Sequence, residues 1–129
     1  MSVEAIQTQK APAAIGPYSQ AIRANGFVFV SGQIPIVPQS GEIAIGGFTD
    51  QARQSLENLR QILIASGTDL NKVVAVDVFI TDIAQFKTFN EVYEEYFSGH
   101  KPARAVVEVK GLPRGVMVEV KCIAVAPAV

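Results

Sequence analysis

Two charged residues late in the chain, Arg104 and Glu119, are of the types that could bind and turn over a small anion. A planar guanidinium offers a fork of N–H donors that meets a carboxylate in two parallel hydrogen bonds, which a lysine ammonium cannot match. A glutamate beside it would repel the same carboxylate. Its use would be to position or activate a water, or to shuttle a proton. Strand alternation links the two. In 103–110, Ala103, Ala105, Val107 and Val109 point one way, and Arg104, Val106 and Glu108 the other. In 116–125, Val116, Val118, Val120, Cys122 and Ala124 share one face; Met117, Glu119, Lys121 and Ile123 share the opposite one. If both all-apolar faces lie under helices, Arg104 and Glu119 face away from them together. A hairpin turning near Leu112-Pro113 would then set them on neighbouring strands, close to opposite each other. The competing account of the same pattern is a solvated ladder of Arg104, Glu108, Glu119 and Lys121.

Other groups are candidates with plainer alternatives. Gly16-Pro17-Tyr18-Ser19 is a rigid turn carrying a phenol, and Ser31-Gly32-Gln33 ends a β-rich run where a hydroxyl and free amides could meet a ligand. Each could equally be a packed surface tyrosine or an ordinary strand end. His100, the only histidine, lies in the polar Ser98-Gly99-His100-Lys101 and reads as solvated. One histidine and one cysteine make a poor metal set. Cys122 falls on the apolar face of its strand and reads as a buried, inert thiol. No phosphate-cradling glycine loop is present, so no cofactor is indicated.

The elements that must position these residues follow from pattern. Asn25-Gly26 can supply the two positive-φ positions of a type I′ turn, making residues 19–33 a hairpin. The stretch from Pro35 to Gly47, with two prolines and three glycines, is a loop or a loose second hairpin. A helix is predicted over 50–66, with Thr49 as N-cap, an apolar stripe of Ala52, Leu56, Leu59 and Leu63, and Gly67 at the C′ position. Val73–Thr81 is a β-branched strand with Val74, Val76, Val78 and Ile80 on one face. Asp82 begins a second helix, with Gln85 in a capping-box position, a stripe of Phe86, Phe89, Tyr93 and Phe97, and Gly99 at its end. The order is a mixed sheet with both helices on one face, an α+β arrangement. No third layer remains to cover the other face, which argues for oligomerisation.

Composition agrees. The chain has 129 residues, one domain's worth, of which 49% are hydrophobic and only 18% charged. That charge fraction is low against about 25% in average globular chains, as expected if another subunit covers part of the surface. A net charge of −1 gives no pull toward nucleic acid or anionic lipid. No apolar run approaches the ~20 residues of a membrane span. The first ten residues read as neither a secretory signal nor a transit peptide, and a lone cysteine fits a reducing compartment. Cytoplasm is the expectation.

Four stretches carry a family resemblance: Gly16-Pro17-Tyr18-Ser19-Gln20-Ala21; Val30-Ser31-Gly32-Gln33; Asn90-Glu91-Val92-Tyr93; and Pro102-Ala103-Arg104 through Leu112-Pro113 to Val118-Glu119-Val120. On these the chain resembles the Rid (reactive intermediate deaminase) family, also called YjgF-like or L-PSP, over nearly its whole length. Having both the arginine and the glutamate, it looks like the RidA subgroup. Two positions depart. Val120 stands where the family usually has Met or Ile, and Val106 where it often has cysteine, which excludes thiol chemistry there but leaves backbone contacts. The resemblance implies one domain over 1–129: a six-stranded mixed sheet with two helices on one face, like bacterial chorismate mutase. It implies a homotrimer with sites between subunits.

The implied function is that of a 2-iminobutanoate/2-iminopropanoate deaminase, a hydrolase acting on enamines and imines such as 2-aminoacrylate to give 2-keto acids and ammonia. Arg104 would bind the carboxylate and Glu119 would handle water and proton. Tyr18, Ser31, Gly32, Asn90 and the Val106 backbone would line the substrate. The inventory is compatible, since an iminium carbon is already electrophilic; positioning plus one acid–base group can suffice without metal or cofactor. Two other readings compete: a non-catalytic trimer binding small keto acids in the same cleft, and an endoribonuclease or translation inhibitor. Near-neutral charge and the lack of a basic stripe interleaved with aromatics weigh against the last.

Overall fold

The computed structural model describes residues 2–126. Asn25 and Gly26 take φ of 53° and 80°, the left-handed pair a type I′ turn needs, and they join β2 (Ala21–Ala24) to β3 (Phe27–Gln33). The edge beyond β2 is filled by β1 (Val3–Ile6), antiparallel to it. That strand is four residues long, mostly exposed and interrupted by Glu4, too short for period-two patterning to reveal. The 35–47 stretch contributes only an isolated bridge, Ile36 with Ile43.

The first helix, α1 (Phe48–Ala65), begins two residues before the predicted start. Gly47, not Thr49, is its N-cap and offers no side chain to the first-turn amides; Asp50 at N3 accepts the Gly47 amide through Oδ2 at 3.2 Å, the reciprocal half of a capping box. The predicted stripe is buried, extended by Phe48 and Ile62. Three polar residues of α1, Gln51, Ser55 and Asn58, are buried as well. Two of them tie down segments that reach the candidate site. Asn58 Nδ2 donates to the carbonyls of Ile34 and Ile36, and Gln51 Oε1 accepts the Met117 amide. The helix ends in a Schellman motif, Thr68 N–H to Leu63 and Gly67 N–H to Ile64, with Gly67 at φ +82°.

β4 (Val73–Ile80) buries Val73, Val76, Val78 and Ile80. A register shift between Val73 and Ala75 puts Val73, not the predicted Val74, on the buried face. Asp82 caps a 3-10 turn, Ile83–Gln85, through the Ala84 amide, and α2 (Phe86–Tyr96) follows directly. Gln85 makes no reciprocal side-chain cap, so the second helix starts later than Asp82 and ends before Gly99. Both helices lie on one face of a six-stranded mixed sheet of order β1-β2-β3-β6-β4-β5.

Here the structure corrects the sequence reading. β5 (Ala103–Glu108) does not form a hairpin with β6 (Val118–Val125). It runs parallel to β4 at the sheet edge, while β6 passes over to lie between β3 and β4, antiparallel to both. Pairing of Arg104, Val106 and Glu108 with Val76, Val78 and Ile80 turns those three toward the helices. Glu108 accordingly accepts the Ile83 amide at the start of the α2 segment. Ala103, Ala105 and Val107 look out on the open face instead. The β6 assignment holds: Val118, Val120, Cys122 and Ala124 are buried under the helices.

The open face is largely apolar, with Asp77, Glu119 and Lys121 its charged members. Phe27, Phe29, Val107 and Val125 are between 38% and 45% exposed there, far more than the nearly sealed residues on the helix side. No helix among the described residues is long and apolar enough to cross a membrane.

Gly67 offers a check on the helix end that anchors this arrangement. A Cβ there would meet the Arg23 Nη2 at 3.0 Å, and φ +82° disfavours any L side chain. Gly67→Ala should lower unfolding free energy by about 1–2 kcal/mol, read from the denaturant midpoint.

Candidate active site

The predicted site residues sort into two groups. The first is built around a bulge. Between Val30 and Gln33 the β3–β6 register slips, and Ser31-Gly32 occupies the irregularity. Ser31 N–H donates to the Gln20 carbonyl at 3.0 Å and its Oγ to the Ser19 carbonyl at 2.6 Å, which fixes the strand against the 16–20 turn. Glu119, on β6, lies over the bulge. A Cβ at position 32 would sit 2.8 Å from the Glu119 carboxyl carbon, so glycine lets the carboxylate take this place, and a larger residue would make its end swing aside. Tyr18, Ser31, Gly32 and Glu119 together line a cleft of about 770 Å³, whose walls include Ile15, Phe29 and Pro113.

Glu119 is half-buried among these apolar walls and has no hydrogen-bond partner among the described residues. Burial raises its carboxyl above the ordinary glutamate value, and Lys121 pulls it part of the way back. A carboxyl in that condition exchanges protons closer to neutrality than a solvated one, the property general acid–base work asks for. Lys121 and Arg114 also reach this cleft. The extended patterning of 103–110 and 116–125 brought no attention to Arg114, which follows a proline at φ 60° and donates to the Gly41 carbonyl.

The second group surrounds Arg104. Its Nη1 donates to Asn90 Oδ1 at 2.8 Å, and its guanidinium carbon lies 4.7 Å from the Tyr93 ring centroid and 5.7 Å from that of Phe86. Val106 is next on the same face of β5 and packs against the core. Asn90, Tyr93, Lys101 and Arg104 line a separate cleft of about 350 Å³. Burial pushes the Tyr93 phenol up to about 12, so it stays protonated.

Within one chain, therefore, Arg104 and Glu119 are neither on the same face nor on neighbouring strands. Arg104 pairs with Val76 and Glu119 with Phe79, and β4 lies between their strands. Two strand spacings and three residues of rise separate them by roughly 10 Å in each direction, on opposite faces. The ion-pair ladder fails on the same grounds: the three salt bridges among the described residues involve neither residue.

Of the remaining candidates, Cys122 is buried as expected, with its thiol pushed up to about 12 by desolvation. His100 is not simply solvated; its Nε2 lies 2.6 Å from the Val73 carbonyl and ties the end of the α2 segment to β4. No group of three or more His, Cys, Asp or Glu suited to a metal occurs among the described residues. The residues that sequence reasoning missed are Phe86 and Tyr93 as partners of Arg104. Their signal was an asparagine at i+4 inside an aromatic i, i+7 stripe, a polar residue where a purely structural stripe has no need of one.

Comparison with known proteins is consistent across the chain. The model of the family described as endoribonuclease L-PSP matches residues 8–126. A RutC family protein of Pyrococcus horikoshii is 53% identical over 121 residues, covering 94% of this chain and 96% of that protein. The 2-iminobutanoate/2-iminopropanoate deaminase of Mus musculus is 49% identical over 93% of this chain and 89% of its own. Among solved structures, E. coli TdcF with bound serine aligns at a TM-score of 0.91 and 46% identity, covering 96% of this chain and 99% of that one. YyfA of the Rid protein family, from Yersinia pestis, aligns at 0.95 and 44%, covering 97% and 100%.

The raised Glu119 carboxyl has a consequence for stability. Its folded pKa lies above the unfolded one, so its favourable contribution is complete below the unfolded value and is lost as pH rises through the folded value. Glu119→Gln removes that dependence. Relative to the parent it should gain stability at neutral pH but not in acid below the carboxylate range, as urea unfolding at the two pH values would show.

Proposed function

The chain belongs to the endoribonuclease L-PSP family, which its relatives share under the name Rid, and from that membership we propose that it is a 2-iminobutanoate/2-iminopropanoate deaminase. It takes short-lived enamines and imines such as 2-aminoacrylate, adds water across the C=N bond and releases a 2-keto acid and ammonia. The observation that carries this reading is that one chain holds two complementary half-sites. One is a proton-exchanging carboxyl in an apolar cleft. The other is a guanidinium with most of its N–H donors free.

A second copy of the chain unites the halves. The largely apolar open face calls for cover, and β5 is an unpaired edge strand beside Arg104. In the proposed homotrimer, Arg104 of one protomer reaches the Glu119 cleft of its neighbour. The enamine is first protonated at carbon, giving its iminium ion. Arg104 neutralises the substrate carboxylate, and Tyr18, Ser31, Gly32, Asn90 and the Val106 backbone orient the carbon skeleton. Glu119 then takes a proton from the attacking water as the C–O bond forms and the C=N π-electrons move to nitrogen. It passes that proton to the amine nitrogen, then accepts the hydroxyl proton as the C=O double bond forms and the C–N bond breaks, releasing ammonia; that last proton is the one given to the carbon of the next enamine. The serine seen in the TdcF structure, a small carboxylate-bearing amine, is the kind of ligand such a cleft would accept.

Three measurements test the reading. A dehydratase generating 2-aminoacrylate should release ammonia faster with the protein present than in buffer. Arg104→Lys should lose most of kcat/KM with the fold intact, because one or two charge-assisted bonds are worth about 1.5–3 kcal/mol each. Glu119→Gln should lose kcat by about 10²–10⁴-fold while still binding pyruvate, the loss being read against the rate in buffer. Release no faster than buffer would overturn the enzyme reading.

Assembly is checked separately. Light scattering at micromolar concentration should give the mass of three chains, each interface burying more than about 1,000 Å². A monomer mass would remove the shared site with it.

A further inference from the structure

We infer that Phe86 and Tyr93 are positioning residues that clamp the Arg104 guanidinium between their rings and so set the plane in which it meets a carboxylate. This rests on the reading of Arg104 as the carboxylate anchor and adds to it the machinery that aims the anchor. The clamp is a product of helical spacing. Residues seven apart on α2 stand two turns apart, about 10.5 Å along the axis. The guanidinium carbon, at 5.7 Å from the Phe86 centroid and 4.7 Å from that of Tyr93, fits the slot between them. Asn90, midway along the same stripe, accepts from Nη1 at 2.8 Å and closes the slot's floor. Rings cover the faces of the cation, and Asn90 fixes its rotation in the remaining plane. Among the described residues nothing bonds Nε or Nη2, so the free edge is turned to whatever approaches the sheet edge at β5.

An exposed arginine ordinarily loses much side-chain entropy when it grips a ligand. Here the loss is taken largely on folding. Tyr93 is itself held by Phe89 at 5.6 Å and by stacking on Phe97 at 4.6 Å, so the inner jaw belongs to the core. Phe86 is 40% exposed and is the outer jaw. Substituting it does not open the core, which makes it the informative position.

The structural readout is the Arg104 Nε–Hε resonance in the full-length ¹⁵N-arginine-labelled protein, identified by its disappearance in Arg104→Lys. It should lie upfield of the other arginines because of ring currents, and Phe86→Leu should return it toward them. Kinetically, Phe86→Leu should raise KM for a carboxylate-bearing imine about 3- to 30-fold, the span of partly desolvated cation–π contacts. kcat should stay within about twofold, the signature of lost binding common to ground and transition states. Tyr93→Phe keeps the ring and should keep both the shifted resonance and the KM, whereas Tyr93→Leu should lose both. An unshifted Arg104 resonance in the parent, or a Phe86→Leu variant with resonance and KM unchanged, would overturn the clamp. Absence of ammonia release by the parent would instead overturn the deaminase reading, and the resonance would still decide the clamp on its own.

Discussion

The connection from β4 through α2 to β5 governs where everything else goes. A strand that leaves a sheet, turns through a helix on one face and re-enters parallel does so right-handed, and most often beside the strand it left, as β5 does beside β4. α2 has to share the face that α1 already covers, since its Phe89, Val92 and Tyr93 are buried against the same core. β5 is thereby committed to the outer side of β4, leaving the inner side for β6. The edge position lets Arg104 lie on the helix face without being sealed under it. The inner position of β6 puts Glu119 over the β3 bulge. The layout of both charged groups follows from one crossover.

Much of this was legible in the sequence, and the parts that were not share a cause. Local signals were read correctly where the chain decides locally: Asn25-Gly26 made its turn, Gly67 its helix end, and the Val118–Ala124 alternation its buried face. The Arg104 face was read wrongly because alternation gives two sets of residues but not which set points inward. Ala103, Ala105 and Val107 are the more apolar set, and a rule assigning the apolar set to the helices picks them. In this fold the other face is largely apolar too, so the rule loses its premise. The choice of β6's neighbour is a non-local pairing, invisible to any window of the sequence. The candidate residues fall in two places: Tyr18, Ser31, Gly32 and Glu119 line one cleft, and Asn90 and Arg104 another, with Val106 next to Arg104 on its face of β5.

The two half-sites solve opposite electrostatic problems. Glu119 has few polar neighbours and is left with a carboxyl that burial makes reluctant to ionise. Arg104 keeps its charge and loses mobility instead, flanked by π-faces that attract a cation without neutralising it. A carboxylate placed where Asn90 stands would hold the guanidinium as well but would consume its charge. A neutral amide oxygen orients the fork and leaves the full positive charge for a ligand. Lys121 performs a lesser service for Glu119, moderating the shift without forming a salt bridge within the described residues.

The close approach of Glu119 to Gly32 bears on where the carboxyl points. A Cβ at position 32 would claim the space that the carboxylate end of Glu119 fills, and the long side chain would answer by swinging to another rotamer. A larger residue there would redirect the carboxyl without removing it. Position 32, which carries no reactive group, thus acts as the rest against which the carboxyl is aimed.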